Sequence, residues 1–188
     1  MNVRIISEFI SILVFVTDSF FIGLKVLVPV LFILVTINLQ NKWKQLPVMI
    51  KIANKMLLFS GVLFLCTMIF TAGRAWLSDN EAERDIILSF INGPHWYQFF
   101  MPIFNYALLP MLLWFKFLRK GINTAFNIVM LWFITYFLVD YINHRDPSMS
   151  GFRNETDVME YVYKAIVFLM AFMVFYFIES RKSKVTSG

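Results

Sequence analysis

Two prolines and an asparagine interrupt one long apolar stretch of the chain. Pro102 and Pro110 flank Asn105 within Trp96–Phe115, which contains no Asp, Glu, Lys or Arg. A proline inside a helix cannot donate its backbone hydrogen bond, so a carbonyl group one turn earlier loses its usual partner. Polar groups of this kind either join neighbouring helices or line a ligand or ion pathway. Both interpretations stay open here, and the pathway hypothesis also includes Asn127.

A second set of residues combines two histidines with two aspartates. Asp140 and His144 are spaced one helical turn apart, Asp146 follows closely, and His95 comes from an earlier connection. Two imidazoles and two carboxylates suit a zinc ion or a related divalent metal. A membrane enzyme with such a site on its outer face is therefore one hypothesis. It is the less favoured one, because His and Asp are ordinary residues at a membrane edge.

The elements that would position these residues are long apolar stretches. Four of them contain no Asp, Glu, Lys or Arg, and a fifth lies near the start of the chain: Met56–Gly73, Trp96–Phe115, Ile122–Val139, Ala165–Ile178 and, in the fifth case, Val26–Leu39. A helix needs about 20 apolar residues to cross the hydrocarbon core, and lipid admits only helices and closed barrels. The stretches lack the alternation of barrel strands. The sequence therefore predicts an all-α, polytopic membrane helix bundle.

The composition predicts a single domain. The chain has 188 residues, of which 59% are hydrophobic and 15% are charged, whereas soluble domains are roughly 25% charged. We expect residues 1–188 to form one transmembrane domain with spans near residues 22–39, 56–75, 96–115, 122–141 and 161–179. Residues 79–91 begin with a capping pattern and continue with apolar residues at helical spacing. They predict a short amphipathic helix on the outer surface.

The N-terminal stretch Ile5–Leu39 is too long for a single span, since a helix rises 1.5 Å per residue. Glu8, Asp18 and Lys25 interrupt it, and charged groups are poorly tolerated at bilayer depth. One interpretation places an interfacial or extended helix at residues 2–21, followed by one span. The other makes two shorter segments into a hairpin. We prefer the first because it keeps these charged groups nearer the membrane surface.

Basic and acidic residues separate onto alternate connections. Gln40–Lys55 contains four lysines and no acidic residue, whereas Arg74–Pro94 and Asp140–Glu160 each contain more acidic than basic residues. The positive-inside rule then places the basic connections and the C-terminus in the cytoplasm. We expect an integral protein of a bacterial inner (plasma) membrane. The net charge of +5 is explained by residues beside the spans and the lipid head groups that they meet, so no direct nucleic-acid binding is expected.

The favoured function is non-enzymatic. The sequence predicts a protein that acts through helix–helix contacts, as a small oligomeric pore (channel) or as an accessory subunit of a larger membrane complex. Its expected partners are the lipid bilayer and either other membrane subunits or further copies of itself, and no cofactor is expected. The alternative is a carrier or redox subunit that binds a quinone or a lipid near the kinked third span.

One stretch carries a resemblance that bears on this alternative. Phe104–Lys120 resembles the end of one helix in quinone-binding membrane subunits of the NrfD type, which implies a quinone ligand. The charged residues that those subunits use inside their spans have no counterpart in this chain.

The alternating charges generate a test of topology. In a Cys66→Ala background, we expect Ser148→Cys to react with a membrane-impermeant thiol reagent in intact cells. Ser183→Cys should react only after the cells are lysed, because the tail lies in the cytoplasm. Labelling of Ser183→Cys but not Ser148→Cys in intact cells would reverse the predicted orientation.

Overall fold

A computed structural model describes residues 3–37, 45–77, 81–93, 96–115, 122–145 and 158–185. These residues are almost entirely helical, without a strand among them, which confirms the all-α class. The long helices are α1 (Val3–Thr36), α2 (Leu46–Leu77), α6 (Ile122–Arg145) and α7 (Val158–Val185), and α3 (Glu81–Asn92) is short. Residues 96–114 are helical throughout: α4 (Trp96–Ile103), a π-helical turn (Phe104–Leu108), α5 (Leu109–Met111) and a 3-10 turn (Leu112–Trp114).

Three helical segments are long and apolar enough to cross a membrane. They are Ile6–Thr36, Leu46–Leu77 and Val158–Arg181. Two further apolar helical segments, Phe100–Trp114 and Phe126–Leu138, are shorter. The long segments fit a membrane location. α3 begins and ends within two residues of the amphipathic helix expected at residues 79–91.

Helix α1 is continuous where the sequence predicts a change at residues 21 and 22. Thr17, Ser19 and Phe20 in its middle are buried. The Ser19 hydroxyl donates a hydrogen bond of 2.7 Å to the Phe15 carbonyl of its own helix, so that hydroxyl needs no water. Packing by other helices thus covers the polar part of α1, and the helix does not break there.

Helices α1 and α2 run antiparallel as a pair. At one end, the Arg74 guanidinium donates a hydrogen bond of 3.4 Å to the Ser7 hydroxyl. At the other end, Leu31 of α1 and Leu46 of α2 share one buried apolar cluster. Phe126, near the start of α6, packs against this cluster. Helix α6 therefore starts at the end of the bundle where α1 finishes.

Helix α7 packs antiparallel to α2 and parallel to α1. An ion pair joins Lys55 of α2 to Glu179 of α7. One turn further along α2, Phe59 faces Phe175, with 6.3 Å between the ring centroids. In chain order, α1, α2, residues 96–114, α6 and α7 alternate in direction.

The contact between α1 and α7 depends on a glycine. A β-carbon added at Gly23 would overlap the ring of Phe168, and overpacking of a core typically costs about 1–3 kcal/mol. Gly23→Ala should therefore lower the thermal unfolding temperature of the protein in detergent. The matched control is Gly73→Ala, because no described atom lies within 4 Å of a β-carbon there.

The control variant should keep or slightly raise the unfolding temperature, since Ala is favoured over Gly in a helix by about 1 kcal/mol. Equal unfolding temperatures for the two variants would contradict this account of the α1–α7 contact.

Candidate functional site

A cavity of about 310 Å³ lies among α1, α2, α6, α7 and the π-helical turn. Charged groups, phenols and apolar groups line it: Asp18, Lys25 and Lys164; Tyr106, Tyr136 and Tyr161; Phe21, Ile22 and Phe64. This combination is typical of ligand pockets, in which apolar walls surround a few polar groups that fix orientation. We take this cavity as the candidate site.

Lys164 is the most deeply buried charge of the site, with 6% of the residue exposed. Its ammonium group lies 3.3 Å from the Asp18 carboxylate of α1 and 2.7 Å from the Glu160 carboxylate, one turn earlier on α7. Burying an ammonium group is costly unless carboxylates compensate it. The two carboxylates are each nearly half exposed. Lys164 is therefore held in place by partners that still reach the surface.

Lys25 contributes the second ammonium group. It lies 4.0 Å from the ring centroid of Tyr136 on α6, a cation–π distance. Asp18, Ile22 and Lys25 follow the i, i+4, i+7 spacing of one helix face. One stripe of α1 therefore presents an acid, an apolar side chain and a base to the same cavity.

Aromatic rings form the inner wall of the cavity. The ring centroids of Phe21 and Tyr106 are 4.8 Å apart, those of Phe64 and Tyr106 are 5.3 Å apart, and those of Tyr106 and Tyr136 are 5.7 Å apart. Behind this wall, Trp132 stacks on Phe21 at 5.9 Å and is fully buried. Paired rings in such geometries add stability beyond their buried area. The wall is consequently a fixed apolar surface opposite the charged groups.

Asn105 joins two helices. It is fully buried, and its side-chain oxygen accepts a hydrogen bond of 2.5 Å from the hydroxyl of Thr135 on α6. Its amide nitrogen is buried without a hydrogen-bond partner among the described residues. Asn105 does not line the cavity, but the next residue, Tyr106, does. Asn105 therefore positions the wall of the site through its neighbour.

The two prolines flank the π-helical turn that carries Asn105 and Tyr106. The Leu109 amide donates to the Phe104 carbonyl, five residues earlier, as a π turn requires. Pro110 is buried against Gly61 of α2, where an added β-carbon would lie 2.7 Å from the proline β-carbon. The interruption expected from the prolines therefore takes the form of a π turn that packs closely on α2.

Asn127 does not line the cavity. It is exposed on α6, nine residues before Tyr136, and the structure gives it no place among the cavity residues. The pathway hypothesis names Asn105, Pro102, Pro110 and Asn127. Of these, Asn105 and Pro110 are buried in the described bundle, whereas Pro102 is partly exposed and Asn127 is exposed.

The metal hypothesis stays a prediction. His95 and Asp146 lie outside the described residues. Asp140 and His144 are both in α6, which continues to Arg145, so they are one helical turn apart as the spacing requires. Among the residues that the structure describes, no group of three or more His, Cys, Asp or Glu is placed to hold a metal ion.

The cavity brings together residues that the sequence analysis did not identify as a site. In the sequence, Asp18 and Lys25 bear only on the position of the first span. Lys164 and the three tyrosines are not among the candidate site residues that the sequence predicts. The sequence does contain a signal for this site, because a charged residue inside or beside an apolar span is a candidate functional residue. Lys164 directly precedes the uncharged stretch Ala165–Ile178.

Comparison with known proteins adds no relative. No protein-family model, curated protein or solved structure matches the chain.

The joining role of Asn105 can be tested by Asn105→Leu. The variant removes an amide nitrogen without a described partner, and the single proton of the Thr135 hydroxyl can instead be donated to the carbonyl of Leu131 or of Trp132. Interhelical hydrogen bonds in membranes average about 0.6 kcal/mol, so the unfolding temperature in detergent should fall only slightly.

The matched control is Asn127→Leu, which changes an exposed asparagine on α6 and should leave the unfolding temperature unchanged. Failure of Asn105→Leu to fold, with Asn127→Leu intact, would show that Asn105 does more than join two helices.

Proposed function

We propose that this chain is a five-span integral membrane protein that binds a small amphiphilic molecule in the cavity. It would act without catalysis, as a carrier or as the ligand-binding accessory subunit of a larger membrane complex. The observation that carries the proposal is the cavity itself, where two lysines and an aspartate face a wall of aromatic rings. Such a site suits a molecule with a polar head and an apolar body.

The five-span topology is supported by the directions of the helices. Three apolar segments are long enough to cross a membrane, and the two shorter ones, Phe100–Trp114 and Phe126–Leu138, would complete the five proposed crossings. Their alternating directions match the alternation of basic and acidic connections. The proposed topology has the N-terminus outside and the C-terminus in the cytoplasm.

Binding fits the described bundle better than conduction through a single copy. At the end of the bundle away from Lys164, the interior is filled by a buried aliphatic cluster of Leu31, Leu46, Ile50 and Ala53. A pore through one copy would need polar groups in the bundle interior, whereas the residues of this cluster are aliphatic.

A second candidate, an accessory subunit that acts through helix contacts, is supported by the outer face of α7. Met173, Val174 and Phe177 are exposed apolar side chains on this face. In a membrane, such a face is satisfied either by lipid or by a helix of a partner subunit. The two roles are compatible, since a ligand-binding subunit can also dock on a larger complex.

The binding proposal is tested by filling the cavity. Ile22→Trp adds a large ring at a residue that lines the cavity. The matched control is Val26→Trp, which adds the same ring one turn further along α1, at a residue that is 67% exposed. We expect the unaltered protein and Val26→Trp to co-purify an organic amphiphile at a fixed molar ratio in mild detergent. Ile22→Trp should lose it, as measured by mass spectrometry of the extracted molecules.

Size-exclusion chromatography and thermal unfolding of both variants provide the folding control. Retention of the same molecule at the same ratio by a folded Ile22→Trp protein would overturn the proposal. Loss of larger partner subunits by Met173→Asp, without loss of the ligand, would support the accessory role separately.

A further inference from the structure

The cavity also indicates the chemical class of its ligand. Building on the proposed function, we propose that the site binds the phosphate-bearing head group of an acidic membrane lipid, which enters sideways from the bilayer between α6 and α7.

The lining side chains favour an anion. Two ammonium groups, Lys25 and Lys164, face the cavity with one carboxylate, Asp18. Glu160 also pairs with Lys164 but is not part of the lining. Three tyrosine hydroxyls complete the polar surface. Lysine ammonium and tyrosine hydroxyl groups donate hydrogen bonds to phosphate oxygens.

The described helices leave the cavity open towards the side. Helices α6 and α7 each pack on both α1 and α2, yet they make little contact with each other. Tyr136 of α6 and Tyr161 of α7 both line the cavity, as does Ile22 of α1. Tyr161 and the Asp18 side chain are each nearly half exposed. A ligand can therefore reach Lys164 from the lipid side of the bundle.

Two of the lining residues lie near one end of α7. Tyr161 and Lys164 belong to the first two turns of this helix, which begins at Val158. At 1.5 Å per residue, Lys164 is about 9 Å from the start of the helix. A phosphate bound to Lys164 would therefore lie within two turns of that end, with its acyl chains directed along the gap between α6 and α7.

The cavity volume fits part of a lipid. About 310 Å³ is near the lower limit of small-molecule sites, which hold about 300–1,000 Å³. A phosphate and its glycerol can enter such a space, but two acyl chains cannot. The chains would remain outside the cavity, in the gap between α6 and α7.

Asp18 competes with the ligand in this arrangement. Its carboxylate already accepts from Lys164 at 3.3 Å, so an arriving phosphate must share or replace that contact. Glu160, at 2.7 Å, keeps Lys164 paired on the other side. The proposal therefore predicts opposite effects: removing the Asp18 charge strengthens binding, and removing either lysine charge weakens it.

The experiment uses the full-length protein in a neutral detergent, titrated with phosphatidylglycerol, phosphatidylcholine or glycerol phosphate and followed by native mass spectrometry. The unaltered protein should bind phosphatidylglycerol more tightly than phosphatidylcholine. Lys25→Gln and Lys164→Gln should each weaken phosphatidylglycerol binding by about tenfold, as expected for a hydrogen bond to a charged group. Asp18→Asn should strengthen it severalfold.

The matched control is Lys55→Gln, which also removes a lysine and its ion pair, with Glu179, but lies away from the cavity. It should bind like the unaltered protein. If Lys164→Gln fails to fold, the inference is tested by Lys25→Gln and by a pair of tyrosine variants. The pair is Tyr161→Phe and Tyr163→Phe, because Tyr161 lines the cavity and Tyr163 does not. Tyr161→Phe should then weaken phosphatidylglycerol binding, and Tyr163→Phe should not.

Equal binding of the two lipids, or no difference among the lysine variants, would overturn the inference. Glycerol phosphate that binds as tightly as phosphatidylglycerol would overturn the lipid source and indicate a free phosphate ligand. A neutral quinone that co-purifies with all the charge variants but not with Ile22→Trp would overturn this inference and leave the proposed function standing. Retention of the co-purified ligand by Ile22→Trp would overturn both.

Discussion

Burial of one ammonium group is the constraint on which the arrangement of this bundle depends. Lys164 lies among apolar helices, and a charge in such surroundings must be paired. One of its partners, Glu160, is one turn earlier on the same helix, and the other, Asp18, comes from α1. The pairing therefore sets the register of α7 on α1. Gly23 then receives the Phe168 ring one turn further along each helix.

The same register produces the cavity. With α7 held against α1 by Asp18, and α6 held against α1 by the contact of Lys25 with Tyr136, the two outer helices stay apart. The space between them is backed by Phe21 and Tyr106, whose rings are 4.8 Å apart. Charged side chains thus face a wall of packed aromatic rings. Such an arrangement suits the proposed binding of a molecule with a polar head and an apolar body.

Close helix approach supports the wall from behind. Pro110 has no amide hydrogen to donate, and the chain around it forms a π turn that places Asn105 towards α6 and Tyr106 towards the cavity. Gly61 lets α2 approach this turn, because any larger side chain would meet Pro110. Asn105 and Pro110 of the apolar span therefore lie beside an aromatic ring of the cavity wall, whereas the charged lining residues come from α1 and α7.

The sequence by itself determined the helical class and the approximate helix positions. Apolar stretches and capping patterns are local properties, so residues 79–91 and the span near residues 122–141 were close to α3 and α6. The tertiary structure alone decided which polar groups meet. Asp18 and Lys164 are 146 residues apart, and Asn105 and Thr135 are 30 apart. Their pairing depends on the rotation and register of packed helices, and no local pattern of residues specifies these. For the same reason α1 stays continuous through Thr17 and Ser19, since the side chains that cover them come from elsewhere in the chain.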